Sequence, residues 1–307
     1  MFSHAIKALG GGLAAVLLAL GAALPAAAQD DAGSADRLVG TLKGIRDRGA
    51  VRIGYRSSSP PFSSVDARGQ PVGYSLDLCS ALVEDIADEL GGIELRVEWV
   101  PVTPENRFAR VEAAEVDIEC GSTTDTLERR QRVAFSPFIF VTGTKLLVRK
   151  DGPVRTLADL RGKAVAVTRG TSNAAVVAAL AQRRGLDLRL QESADHDASF
   201  AALEAGKVDA FASDEVLLYA QLAESRSKAL RVVGDFLSYE PYALMFRRDD
   251  PAFAAVVERG FRRLASSGEI RWIYDKWFVR RLPSGLRLGL PMSPQLVESF
   301  RMLGLQD

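Results

Sequence analysis

Three short segments carry polar groups from which a binding or catalytic site could be built. In Thr168-Arg169-Gly170-Thr171 the glycine permits a tight turn. A helix opening there would offer free backbone N–H groups and a positive dipole end to an anion. In Gly121-Ser122-Thr123-Thr124, small hydroxyl residues are followed by Arg129, a combination suited to bidentate capture of a carboxylate. In Ser213-Asp214-Glu215 one carboxylate could receive an ammonium group. Each signal is weak alone, since such turns are common in α/β folds and most arginines are merely solvated.

Catalytic readings find less support. His196 stands between Asp195 and Asp197 and could be half of a triad, but no serine sits in a G-x-S-x-G elbow. There is no phosphate-binding Gly-rich lysine loop and no dinucleotide G-x-G-x-x-G. His4 and His196 are the only histidines, and Cys79 and Cys120 the only cysteines. No Cys/His metal site and no cofactor are expected from that set.

The elements that must position these turns alternate between strand-like and helix-like, the pattern of an α/β protein. Ala50 to Tyr55 reads as a strand. Leu78, Leu82, Ile86 and Leu90 recur every four residues, which predicts a helix over 75–90. Ile93, Leu95, Val97 and Trp99 alternate with charged residues, as a strand with one wet face does. Thr103-Pro104 reads as an N-cap with proline at the first helical position, opening a helix through Ala114. Val116 to Glu119 is another strand. A second series follows: strands at 145–149, 164–168 and 210–212, helices from Thr171 to Arg184 and over 199–205, and a helix beginning at Asp214. Tyr242 to Phe246 is a strand, and 251–278 is two helices broken at Gly268. The tail after Pro283 reads as a surface wrap ending in a short helix over 294–303.

Composition narrows the function classes. The 39 basic and 39 acidic side chains balance, so neither nucleic acid nor an anionic membrane surface is an expected partner. Residues 1–28 carry Lys7, an apolar run and a closing Ala26-Ala27-Ala28, the pattern of a cleaved signal peptide. That makes a secreted, periplasmic protein with a flexible lead-in over 29–39 the expectation. In an oxidising compartment Cys79 and Cys120 are expected to form a disulfide, the alternative being two buried free thiols. It would close a loop of about forty residues, worth roughly 4 kcal/mol on the chain-entropy account.

Read together, these segments resemble the family 3 extracellular solute-binding proteins of ABC importers, in particular the glutamate/aspartate-binding branch. The resemblance rests on Val51 to Arg56 followed by Pro60-Pro61-Phe62-Ser63, on Val72 to Cys79, and on Val116 to Thr124. Glu128-Arg129, Phe135-Ser136 and Asp275-Lys276-Trp277-Phe278 add to it. It implies a type II periplasmic-binding fold of two lobes joined by two crossover strands, near 141–144 and 238–241. Lobe 1 would take residues 40–142 and 242–280, lobe 2 residues 143–241, and the C-terminal wrap 281–307. It also implies roles. Arg129, with Thr171 and Ser122 or Thr124, would hold an α-carboxylate, and Asp214, helped by Ser122, the α-ammonium. Arg56, Arg107 and His196 would face a side-chain carboxylate. A dicarboxylate amino acid needs about one excess positive charge in a desolvated cleft, which three arginines against Asp214 could supply. Pro104 departs from the branch pattern, which has a serine there, so one hydrogen bond worth about 1 kcal/mol is missing or replaced. The ligand would be L-glutamate or L-aspartate, the partner an ABC permease, and the protein a monomer. The rival is a cyclohexadienyl or arogenate dehydratase-like enzyme with Glu119 or Glu240 as general acid, although both read more simply as solvated or strand-end residues.

Overall fold

The computed structural model describes residues 38–282, 285 and 287–306. The expected signal peptide and most of the lead-in lie outside them. The strands are β1 (Ala50–Tyr55), β2 (Ser58–Ser59), β3 (Ser63–Val65), β4 (Pro71–Val72), β5 (Arg96–Pro101), β6 (Ile118–Glu119), β7 (Val133–Thr142), β8 (Thr144–Arg149), β9 (Ala164–Thr168), β10 (Arg189–Ser193), β11 (Ala210–Asp214), β12 (Leu230–Val233) and β13 (Glu240–Arg247). The helices are α1 (Gly40–Arg48), α2 (Tyr74–Glu89), α3 (Arg107–Glu112), α4 (Ser172–Arg184), α5 (His196–Glu204), α6 (Glu215–Ser225), α7 (Pro251–Ser266), α8 (Glu269–Tyr274) and α9 (Pro294–Met302).

Two five-stranded sheets organise the chain, in the orders β5-β1-β6-β13-β7 and β10-β9-β11-β8-β12. In the first, β1 runs parallel to β5 and β6, while β13 lies antiparallel to β6 and β7. In the second, β9 runs parallel to β10 and β11, and β8 antiparallel to β11 and β12. The chain leaves the first sheet at Thr142, enters the second at Thr144, and returns between Val233 and Glu240. This is the α/β architecture expected. Among the described residues, no helix is long and apolar enough to cross a membrane.

Each sheet buries its own core. Under the first, Phe62 meets Phe140 and Tyr242 at ring-centroid distances of 5.1 and 5.0 Å, and Tyr74, Tyr274 and Phe278 close the cluster. The Tyr74 hydroxyl donates to the Ile139 carbonyl at 3.0 Å, so its burial leaves no orphan polar group. Under the second, Leu146, Val148, Val165 and Val167 pack against Val177 of α4. The continuous apolar run of β9 is buried over 165–168, as a central parallel strand requires. Cys79 of α2 and Cys120, just past β6, form the expected disulfide.

One expected helix start is displaced. The helix after Thr103-Pro104 opens at Arg107, with Asn106 in the cap position. Thr103 and Asn106 bond reciprocally, N–H to Oδ1 at 2.8 Å and N–H to Oγ1 at 3.1 Å. This is the reciprocal pattern of a capping box, and the Arg107 N–H reaches the Thr103 carbonyl at 3.2 Å, so Thr103 still caps the segment while regular helix is reached only at Arg107. The strand expected from Ile93 likewise begins only at Arg96.

Candidate functional site

The turns singled out in the sequence converge on one narrow cavity. It is lined by all eight residues named as ligand contacts: Arg56, Arg107, Ser122, Thr124, Arg129, Thr171, His196 and Asp214. Ser172, Asn173 and Leu217 also line it and were not singled out.

One side is basic. Arg56 follows β1, and its backbone is pinned by Ser63, whose Oγ accepts from the Arg56 N–H at 2.8 Å. The side chain is 2% exposed, yet Nη2 has no hydrogen-bond partner. Arg107 opens α3 and is equally buried. Its guanidinium donates to the carbonyls of Pro104 and Gly170 and lies 4.7 Å from the Phe108 ring centre, while Nε has no partner. Arg129 donates from Nη1 to the Thr124 carbonyl at 2.8 Å. Among the described residues none of the three makes a contact ion pair. Burial pulls Arg56 down to about 10, with Glu119 the main charge opposing the shift. Burial also pulls down Arg107 and Arg129, Arg107 strongly, and there the other two arginines add to the effect.

His196 is the first residue of α5, whose N-terminus Asp195 caps by accepting from the Ala198 N–H at 2.8 Å. Its Nδ1 meets Thr168 Oγ1 at 3.0 Å, and that oxygen also meets Ser199 Oγ at 3.0 Å. Burial, then Arg56 and Arg107, hold its pKa well below the ordinary value. The ring is a neutral donor or acceptor and not a fourth cation.

The opposite side is acidic and hydroxylic. Asp214, ending β11, accepts from Asn173 Nδ2 at 2.7 Å and from the Tyr242 hydroxyl. Burial, with Glu240 nearby, pushes its carboxyl up to about 7. Glu215, the next residue, instead meets Lys145 Nζ at 2.7 Å and does not line the cavity. Thr171 caps α4, accepting from the Ala174 N–H at 3.3 Å. Ser172 donates to Glu240 Oε2 at 2.6 Å and meets Thr124 Oγ1 at 3.2 Å, which ties α4 to the first sheet.

Glu119 and Glu240 are strand-end residues, as expected, but they are not solvated: they are 0% and 2% exposed. The expected charge balance set three arginines against Asp214 alone. Two further buried carboxylates therefore join the count: Glu119 accepts from Thr123, and Glu240 from Ser172, which lines the cavity. At position 104 the proline offers its carbonyl to Arg107. Contact chemistry there is thus orientation of an arginine by the backbone.

Comparison with known proteins adds three findings. The sequence profile described as bacterial extracellular solute-binding proteins, family 3, matches residues 51–280. The chain is 40% identical to the L-glutamate/L-aspartate-binding protein of Pseudomonas aeruginosa, over 85% of this chain and 88% of that one. It is 36% identical to the glutamate/aspartate import solute-binding protein of Escherichia coli (strain K12), over 94% and 95% of the two chains. Among solved structures it is similar to a mutant of ArgBP from T. maritima, with a TM-score of 0.71, 26% identity, and 78% and 100% coverage. It is also similar to an ancestral amino acid-binding protein described as a precursor of cyclohexadienyl dehydratase, with a TM-score of 0.67, 28% identity, and 78% and 99% coverage.

Proposed function

Since the chain belongs to the bacterial extracellular solute-binding proteins, family 3, we propose that it captures an acidic L-amino acid, glutamate or aspartate, in the periplasm and delivers it to an ABC importer. The observation that carries the word acidic is the pair of unpartnered N–H groups, Arg56 Nη2 and Arg107 Nε, buried at the cavity. A buried donor on a cation without an acceptor costs several kcal/mol, about 2 or more, and a ligand carboxylate offers the missing acceptor. In this reading Arg129, Thr171, Ser122 and Thr124 hold the α-carboxylate. Asp214, oriented by Asn173 and Tyr242, holds the ammonium. Arg56, Arg107 and His196 face the distal carboxylate. The protein acts as a monomer, starts with a cleaved signal peptide, and binds without chemistry.

Calorimetry on ligand-stripped protein is expected to show 1:1 binding of L-glutamate or L-aspartate. Arg56→Ala and Arg107→Ala should each weaken it by roughly 2 kcal/mol or more, since truncation leaves a charge buried and unpaired. Tight binding of a basic amino acid, with no response to the acidic ones, would overturn the assignment. Incubation with prephenate or arogenate tests the enzyme on this fold, and an aromatic product would displace the binding-only reading.

A further inference from the structure

Glu119 is the carboxylate that most strongly opposes the effect of burial on Arg56, and it also acts on Arg107. It ends β6, between Gly54 of β1 and Met245 of β13, at the centre of the first sheet. It is wholly buried. Oε2 accepts from the Thr123 hydroxyl at 2.8 Å, while Oε1 has no partner. A Cβ added at Gly121 would fall 2.3 Å from that Oε1 and 2.9 Å from Arg56 Cγ. The carboxylate and the arginine stem therefore flank the same glycine and approach each other only because it lacks a side chain. Yet Glu119 makes no contact ion pair with Arg56 or Arg107. It balances them through space, and Arg56 Nη2 and Arg107 Nε remain without a hydrogen-bond partner.

We propose that Glu119 is a specificity-determining residue: it is the resident counter-charge of Arg56 and Arg107 in the empty cleft, and it opposes the ligand's distal carboxylate in the filled one. This rests on the function proposed above. Two buried guanidiniums without a counter-charge would destabilise the ligand-free fold. When an acidic ligand arrives, its distal carboxylate supplies contact acceptors, and Glu119 becomes a nearby like charge. The residue thereby trades affinity for a stable empty state and for release of the cargo.

The test is Glu119→Gln, which keeps the shape and removes the charge. Ligand-free melting temperature is expected to fall while L-glutamate binds tighter, by roughly tenfold or more, the size of a like-charge repulsion at partly buried separations. L-glutamine, which has no second carboxylate, should gain less than about threefold. Opposite signs for stability and affinity separate this role from a purely structural one, in which both would fall. Weaker or unchanged glutamate binding, or an equal gain for glutamine, overturns the proposal. If the ligand-free variant does not fold, it is refolded with L-glutamate or with L-glutamine. Recovery with glutamate alone supports the proposal; recovery with both, or with neither, overturns it. Failure of the unmutated protein to bind either acidic amino acid is a separate result, which removes the functional reading itself.

Discussion

At the scale of single residues, the cavity is governed by which groups are ionised. Asp214 titrates near 7 in the ligand-free cleft, and an ammonium group binds its ionised form. Affinity for L-glutamate is therefore expected to rise with pH, by up to about tenfold per unit between pH ~5 and ~7, and to level off above. Calorimetry across that range checks this, and Asp214→Asn should both weaken binding and flatten the profile. A profile that falls over the range would remove Asp214 from the ammonium site. Stability of the ligand-free protein follows the opposite linkage. Asp214, raised, holds a proton the unfolded chain lacks, so its contribution is present at low pH and lost as pH rises towards 7. His196, lowered, is protonated in the unfolded chain first, so its contribution is lost as pH falls below about 6.5. The two slopes oppose each other, and Asp214→Asn should expose the histidine's as a melting temperature that drops on acidification. Five of the cavity residues, Ser122, Thr124, Arg129, Thr171 and Asp214, were legible as polar groups on or near strand-to-helix turns, whereas Arg56, Arg107 and His196 came only from the family resemblance. Glu119 and Glu240 were legible by neither route: a glutamate at a strand end reads the same whether solvent or a second sheet lies beyond it. Ser172 and Asn173 could have been found, since they directly follow the Thr171 cap.

At the scale of elements, turns from the two sheets touch at the cavity's edge. Gly170, in the turn from β9 to α4, has φ +75°, and an added Cβ would lie 2.6 Å from the Pro104 carbonyl oxygen. Arg107 Nη2 reaches the Gly170 carbonyl at 3.3 Å, and Arg169 meets Glu105 at 3.4 Å across the same line. Gly170→Ala should therefore hinder closure over any ligand. The expected outcome is a similar loss for glutamate and aspartate, of about tenfold or roughly 1.4 kcal/mol, where a side-chain pocket mutation would separate the two. Unchanged affinities would show that this contact is absent when ligand is held. The glycine was legible as a turn, but the approach of Pro104 was not, since it joins residues 66 positions apart. The start of α3 is a local matter: Thr103 and Asn106 cap each other's backbone, and the Pro104 carbonyl accepts from the Arg107 side chain, so regular helix is reached only at Arg107.

At the scale of the whole molecule, binding and folding use different parts of one chain. The cavity's basic residues, Arg56, Arg107 and Arg129, lie beside the first sheet, and most of its other residues lie on α4, α5 and β11 beside the second. A ligand held there would touch elements of both sheets and stabilise the folded chain by mass action, about 2.7 kcal/mol at a hundredfold excess over Kd. The alternation of strands and helices made the α/β architecture with its two sheets legible. The tail was read as a surface wrap, and here packing adds something the pattern concealed. Leu296 and Phe300 of α9, with Leu305, are buried in the core of the first sheet, and α9 lies against β7. Prolines and glycines punctuate that stretch and read as surface turns, yet Leu288, Leu290, Met292 and Leu303 also pack against the core. No tail residue lines the cavity. Removing residues 288–307 should therefore lower the melting temperature, with a loss on the order of 2 kcal/mol for each large side chain uncovered. The affinity of the folded fraction for L-glutamate should stay within about twofold, since a conformation not involved in binding leaves intrinsic affinity unchanged. Scanning calorimetry with and without ligand reads both quantities on one sample. A truncated protein that keeps its stability would return the tail to the surface. One that folds but no longer binds would mean that α9, through β7, holds the crossing strands in their binding arrangement.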